Sequence, residues 1–174
     1  MKITLIGYMG SGKSSLGAML AKKLNIIFYD LDSIISKTYG VSIFSFFKKK
    51  GESSFRKIEH LMLKKILKKK HSYILSVGGG TPCFYKNIYL LNKYSKTIYI
   101  KIDAYTLFNR LILEKEKRPL IFNFSKKELY RFIMKHLLKR VPFYEQASIK
   151  IEIDKKKSKI NVIKEIIKSI YSDT

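Results

Sequence analysis

Cysteine is all but missing from this sequence. Cys83 stands alone, which excludes an intramolecular disulfide and any metal site built from several cysteines. The expectation is a cytoplasmic protein. Apolar runs long enough to cross a bilayer, about 20 residues, are missing too, so no membrane association is expected. A strand and a glycine-rich loop are under way by the seventh residue, so no signal or transit peptide is expected. Acidic residues number 13 against 36 basic ones, giving a net charge of +23. Arginine is scarce as well: five of the 36, the other 31 being lysine. The lysines are spread along the chain, with runs at 48–50, 68–70 and 155–157. Specific nucleic-acid readers combine lysine with arginine on one face, so solvated surfaces are preferred here over a nucleic-acid partner. The charge is still expected to draw anionic small molecules at low salt. With 46% hydrophobic residues in 174, disorder is excluded and the length suits one domain with its own core.

What the sequence does hold is Gly7-Tyr8-Met9-Gly10-Ser11-Gly12-Lys13-Ser14, a match to the P-loop pattern. Ile3-Thr4-Leu5-Ile6 before it reads as a buried strand. Residues 15–24 after it carry Leu16, Met19, Leu20, Lys23 and Leu24 at helical spacing. Glycines let the backbone curl until several N–H groups meet one anion, at the positive end of a helix. Lys13 then reaches the β- and γ-phosphates, and the Ser14 hydroxyl ligates Mg²⁺. A turn that binds nothing is the weaker reading, because strand, loop and helix are in register. A nucleoside triphosphate site is expected.

Further strands are expected over about 26–29, 73–77, 97–102 and 147–153. Helices are expected over about 13–24, 33–39, 41–47, 53–69, 87–94, 103–111, 125–139 and 160–171. Such alternation argues for an α/β fold, a five-stranded parallel sheet flanked by helices on both faces. The second strand ends in Asp30-Leu31-Asp32, at the strand end where ligands gather in open α/β sheets. In extended chain the two aspartates share a face and Leu31 points inward; Asp32 also reads as an N-cap of the helix that follows. Arg56 and Glu59, three apart, pair across a helical turn on the plainest reading. Gly78-Gly79-Gly80 after the third strand lets a ligand lie against the backbone, or makes a tight turn. The polar break at 114–125 reads as a lid. It leads to Ser125, an N-cap with Glu128 in the capping-box position.

In order, these motifs resemble the shikimate kinases, P-loop kinases of the chorismate and aromatic amino-acid pathway. The resemblance rests on 7–14, Asp-Leu-Asp at 30–32, Gly-Glu-Ser-Ser-Phe-Arg-Lys-Ile-Glu at 51–59 and Gly-Gly-Gly at 78–80. Arg-Pro-Leu at 118–120 and Arg-Val-Pro-Phe-Tyr at 140–144 complete it. It implies a P-loop NTPase fold of the nucleoside monophosphate kinase type in one domain, residues 1–174. Within it lie a substrate-binding segment over about 32–60 and a lid over about 112–125. It implies transfer of a phosphoryl group from ATP to the 3-hydroxyl of shikimate, with Mg²⁺, by a monomer. The ATP phosphates would lie on Gly10, Ser11, Gly12, Lys13, Ser14 and Ser15, with Mg²⁺ on Ser14 and Asp30 on the metal side. Asp32 would hold the shikimate hydroxyls and accept the proton. Arg56 and Arg140 would grip the carboxylate, with N–H groups from Gly79 and Gly80. Arg118 would come down from the lid onto the phosphates and Arg110 would lie beside the adenine; Lys13, Asp32 and Arg118 form the catalytic set. Only Arg131 among the arginines has no ligand role in this scheme. Ser14-Ser15 departs mildly from the family's frequent Ser-Thr, the stretch from Arg118 to Arg140 is slightly long, and the loop near 154–159 lacks an expected proline. The rival readings are another small-molecule kinase, a nucleotide-dependent RNA-binding module and a non-catalytic relative.

Overall fold

Strand β1 (Lys2–Ile6) is buried from Ile3 to Ile6 and β3 (Tyr73–Ser76) at every position. Side chains on both faces of these strands are therefore covered, which is why they read as unbroken apolar runs rather than alternating ones. In the computed structural model, which describes residues 1–115, 121–154 and 157–172, they lie at the middle of a five-stranded sheet ordered β2-β3-β1-β4-β5. The remaining strands are β2 (Ile27–Asp30), β4 (Lys96–Lys101) and β5 (Ile149–Glu152), and every pairing is parallel. Parallel neighbours require crossovers, supplied by α1 (Lys13–Leu24), α2 (Leu31–Tyr39), α3 (Ile43–Leu67), α4 (Asn87–Tyr94), α5 (Ala104–Leu113) and α6 (Lys126–Tyr144), while α7 (Lys159–Ser172) follows β5. Edge strand β5 alternates instead, with Ile149 and Ile151 inward and Lys150 and Glu152 outward. No helix among the described residues is long and apolar enough to cross a membrane.

Four local expectations change. Helix α2 begins at Leu31, and its N-cap is Asp30, whose Oδ1 accepts from the Ser33 N–H at 3.0 Å. Asp32 is thus a first-turn residue rather than a cap, and helix geometry, not strand alternation, sets its direction. The helices expected over 41–47 and 53–69 are two, as read, but the first runs on through Lys48 to Lys50 and the second follows at once across a kink at Gly51 (φ 75°, ψ 169°). Only glycine adopts that conformation at no steric cost. Helix α6 does not stop at Lys139 but continues through Pro142 to Tyr144. The N–H that Pro142 lacks would have met the carbonyl of Leu138, on a side where that residue is exposed and water can substitute. A short 3₁₀ turn, Thr81–Cys83, follows the glycine triplet. The Ser125–Glu128 capping box forms as expected. The centre of the expected lid, including Arg118, lies outside the described residues. Beyond it, Ile121 is buried and Phe124 packs on Phe132 with ring centroids 5.1 Å apart.

Candidate active site

The turn from β1 into α1 is closed by glycine geometry. Gly12, immediately before the helix, has φ 86°, and a Cβ on Gly7 would lie 2.7 Å from the Ile100 carbonyl oxygen. The Lys13 ammonium folds back over its own loop, donating to the carbonyls of Gly7 (2.9 Å) and Tyr8 (2.8 Å) and to Ser11 Oγ (3.2 Å). Ser14 Oγ donates to Asp30 Oδ2 at 2.6 Å, so Asp30 caps α2 with one oxygen and holds the loop hydroxyl with the other. Ser15 Oγ accepts from Lys159 Nζ at 2.9 Å. Arg110 Nη1 reaches the Gly10 carbonyl at 3.1 Å, placing that arginine against the loop itself. Gly10, Gly12, Lys13, Ser14 and Ser15, with Asp30, line a cleft of about 240 Å³. Ser11 is buried beneath it.

A second cavity of about 410 Å³ adjoins the first, with Phe47, Phe55, Arg56, Glu59 and Arg140 in its walls. Met9, Asp32, Gly78 and Gly79 line both cavities. Asp32 therefore stands on the partition between them.

The Arg56 guanidinium is fixed from three sides. Its Nη1 donates to Glu59 Oε2 at 2.8 Å, its Nε and Nη2 donate to Glu52 Oε1 at 3.1 and 3.0 Å, and the Phe84 ring lies 4.6 Å away. A Cβ on Gly80 would fall 2.3 Å from Arg56 Nη2, and one on Gly79 would fall 3.2 Å from Arg140 Nη1. The triplet clears space for two arginines, which a tight turn alone would not need. Arg140 lies 5.5 Å over the Tyr8 ring, and the Tyr8 hydroxyl is 3.3 Å from His136 Nδ1. Tyr144 donates its hydroxyl to the Gly79 carbonyl. Sequence reasoning missed the weight of Glu59: it is fully buried, bonds Arg56 with one oxygen and accepts from Thr81 Oγ1 with the other at 2.6 Å. The signal was available, since Glu59 lies four residues after Phe55 and four before Leu63, both buried on the same face of the helix.

Burial lifts the Asp32 carboxyl up to about 6, helped by the neighbouring Glu59 and Asp30 charges and opposed by Lys13 and Arg56. A carboxyl poised there can take a proton near neutral pH. Burial, and next the Arg140 charge, hold His136 down to about 4. Among the described residues no group of three or more His, Cys, Asp or Glu could hold a metal. A small hard cation that keeps several waters and takes one or two protein ligands plus phosphates still fits beside Ser14 and Asp30.

A family model described as shikimate kinase matches residues 9–171. The shikimate kinase of Flavobacterium psychrophilum is 42% identical over 171 residues, 98% of this chain and 99% of that one. The crystal structure of shikimate kinase from Bacteroides thetaiotaomicron has a TM-score of 0.92 at 34% identity, covering 98% of each chain. Shikimate kinase from Acinetobacter baumannii in complex with shikimate has a TM-score of 0.87 at 28% identity, covering 99% of this chain and 94% of that one.

Proposed function

The chain belongs to the shikimate kinase family, and from that premise we propose that it transfers the γ-phosphoryl group of ATP to the 3-hydroxyl of shikimate. The products are shikimate 3-phosphate and ADP. One observation supports the reading above others: Asp32 lines both the P-loop cleft and the pocket that carries Arg56 and Arg140. A phosphoryl group in the first and a hydroxyl in the second would meet beside one carboxylate.

Phosphoryl transfer asks a protein mainly for positioning and charge neutralisation. The loop N–H groups and Lys13 hold the triphosphate. Lys13 leaves its own carbonyls for the β- and γ-oxygens when nucleotide enters. Ser14 Oγ, with Asp30 on the metal side, would hold a Mg²⁺ ion, which would supply positive charge to the phosphates. Arg56 and Arg140 take the acceptor carboxylate, each a planar fork able to hold two oxygens; Glu59 and Phe84 fix the first fork and Tyr8 the second. Gly79 and Gly80 add backbone N–H groups. With the ring pinned, Asp32 accepts the proton of the attacking hydroxyl. Arg118 joins from the lid over about 112–125, and Arg110, already on the loop, lies towards the nucleoside. The scarcity of cysteine supports a cytoplasmic setting; a monomer with no specific nucleic-acid partner completes the proposal.

The test is ADP release with Mg-ATP and a panel of acceptors: shikimate, quinate, gluconate and a nucleoside monophosphate. Turnover with shikimate alone is expected. Activity with another acceptor and none with shikimate would overturn the assignment of the second cavity and leave the ATP site standing.

A further inference from the structure

Two consecutive hydroxyls at the start of α1 have partners of opposite charge. Ser14 is bonded to the Asp30 carboxylate at the end of β2, and Ser15 to the Lys159 ammonium at the start of α7. The sheet order β2-β3-β1-β4-β5 puts those partners towards opposite edges, because α7 follows β5. A bound nucleotide is thereby oriented. Its γ-phosphoryl end must point towards Asp32 and the acceptor cavity, on the β2 side. The α-phosphate and nucleoside must then extend along the loop past Ser15, towards α5 and α7.

We infer that Lys159 is a nucleotide-anchoring residue, holding the α-phosphate of ATP and ADP from α7. The inference rests on the ATP reading above and adds to it a residue in a stretch the family motifs leave unassigned. Ser15 lines the phosphate cleft, so an ammonium 2.9 Å from its hydroxyl is within one side-chain rotation of an oxygen seated there. Lys157, its neighbour, is paired with Glu165, whereas among the described residues no carboxylate is paired with Lys159. Its charge is available to an anion. Lys159 is exposed, and Ser158 Oγ accepts from the Asn161 N–H at 3.2 Å, so the helix start does not depend on the lysine side chain. Arg110 meets the same loop from α5 at the Gly10 carbonyl. The nucleotide's far end thus faces two cations from different elements.

The experiment is calorimetric titration of ADP into the wild-type chain, Lys159→Ala and Lys159→Arg, at low and high salt, with ATP and shikimate kinetics alongside. A charged hydrogen bond at a solvent-accessible site predicts a Kd for ADP raised about fivefold in Lys159→Ala at low salt. KM for ATP should rise alike, while kcat and KM for shikimate stay within about a factor of two. Lys159→Arg should recover most of the affinity, and high salt should shrink the difference. A Lys159→Ala variant that binds ADP within a factor of about 1.5 of wild type overturns this inference and leaves the ATP reading intact. A wild-type chain that does not bind ADP overturns both.

Discussion

The two cavities are built by different means. The phosphate cleft is centred on one short stretch, residues 9–15, whose backbone forms the cradle and whose Lys13 and Ser14 finish it, with Asp30, Asp32 and residues 76–79 as its further walls. The acceptor cavity draws on α2, α3, the glycine triplet and α6, whose contributing residues lie as far apart as Asp32 and Arg140. In the first, conformation makes the site. In the second, side chains do, and each charge needs its own support: Glu59, Glu52 and Phe84 around Arg56, and Tyr8 under Arg140. Substitutions should therefore damage one cavity without the other, except at the partition.

The largest effect is expected at that partition. Asp32→Asn should lower kcat by at least about 10²–10⁴-fold, the usual worth of a general base, while ADP and shikimate still bind. Rapid-quench and binding measurements together would check it. Next comes Gly80→Ala, whose added Cβ must displace the Arg56 guanidinium. KM for shikimate should rise by about tenfold or more, a misplaced carboxylate fork costing on the order of 1.4 kcal/mol or more, with ADP affinity unchanged. A matched loss of ADP binding would erase the distinction between the cavities. Glu59→Ala leaves Arg56 and Thr81 short of a buried partner. Breaking such a pair costs about 3–5 kcal/mol, read as a large fall in the denaturation midpoint. The smallest effect concerns His136, held neutral by burial. Its folded pKa lies below the ordinary value near 6.5, so the unfolded chain binds more protons in that interval. Stability should fall as pH drops from about 6.5 towards 4, and His136→Gln should flatten that slope in urea titrations.

The same contrast governs what could be read before the fold was known. The P-loop cleft was legible because contiguous residues and backbone geometry make it; Gly12, Lys13 and Ser14 stand where the pattern puts them. Parallel strands were legible because two-sided burial writes unbroken apolar runs. The acceptor cavity was reachable only through the family resemblance, since nothing local ties Arg56 to Arg140. Glu59 was read only as a partner of Arg56 across a turn, which it is, because that spacing reports the pairing and not its burial. Pro142 misled about the end of α6 because its missing hydrogen bond faces solvent, where the loss is small. The cap fell to Asp30 rather than Asp32 because the helix starts at Leu31, two residues earlier than the sequence pattern suggested.

The central claim is that one half-buried carboxylate serves both cavities. Carbon-13 NMR of the Asp32 carboxyl, assigned with the Asp32→Asn variant, tests it most directly. In the free protein it should titrate near 6, and its resonance should move on adding ADP alone and again on adding shikimate alone. Titration in the ordinary range near 4, with a response to only one of the two ligands, would contradict the account.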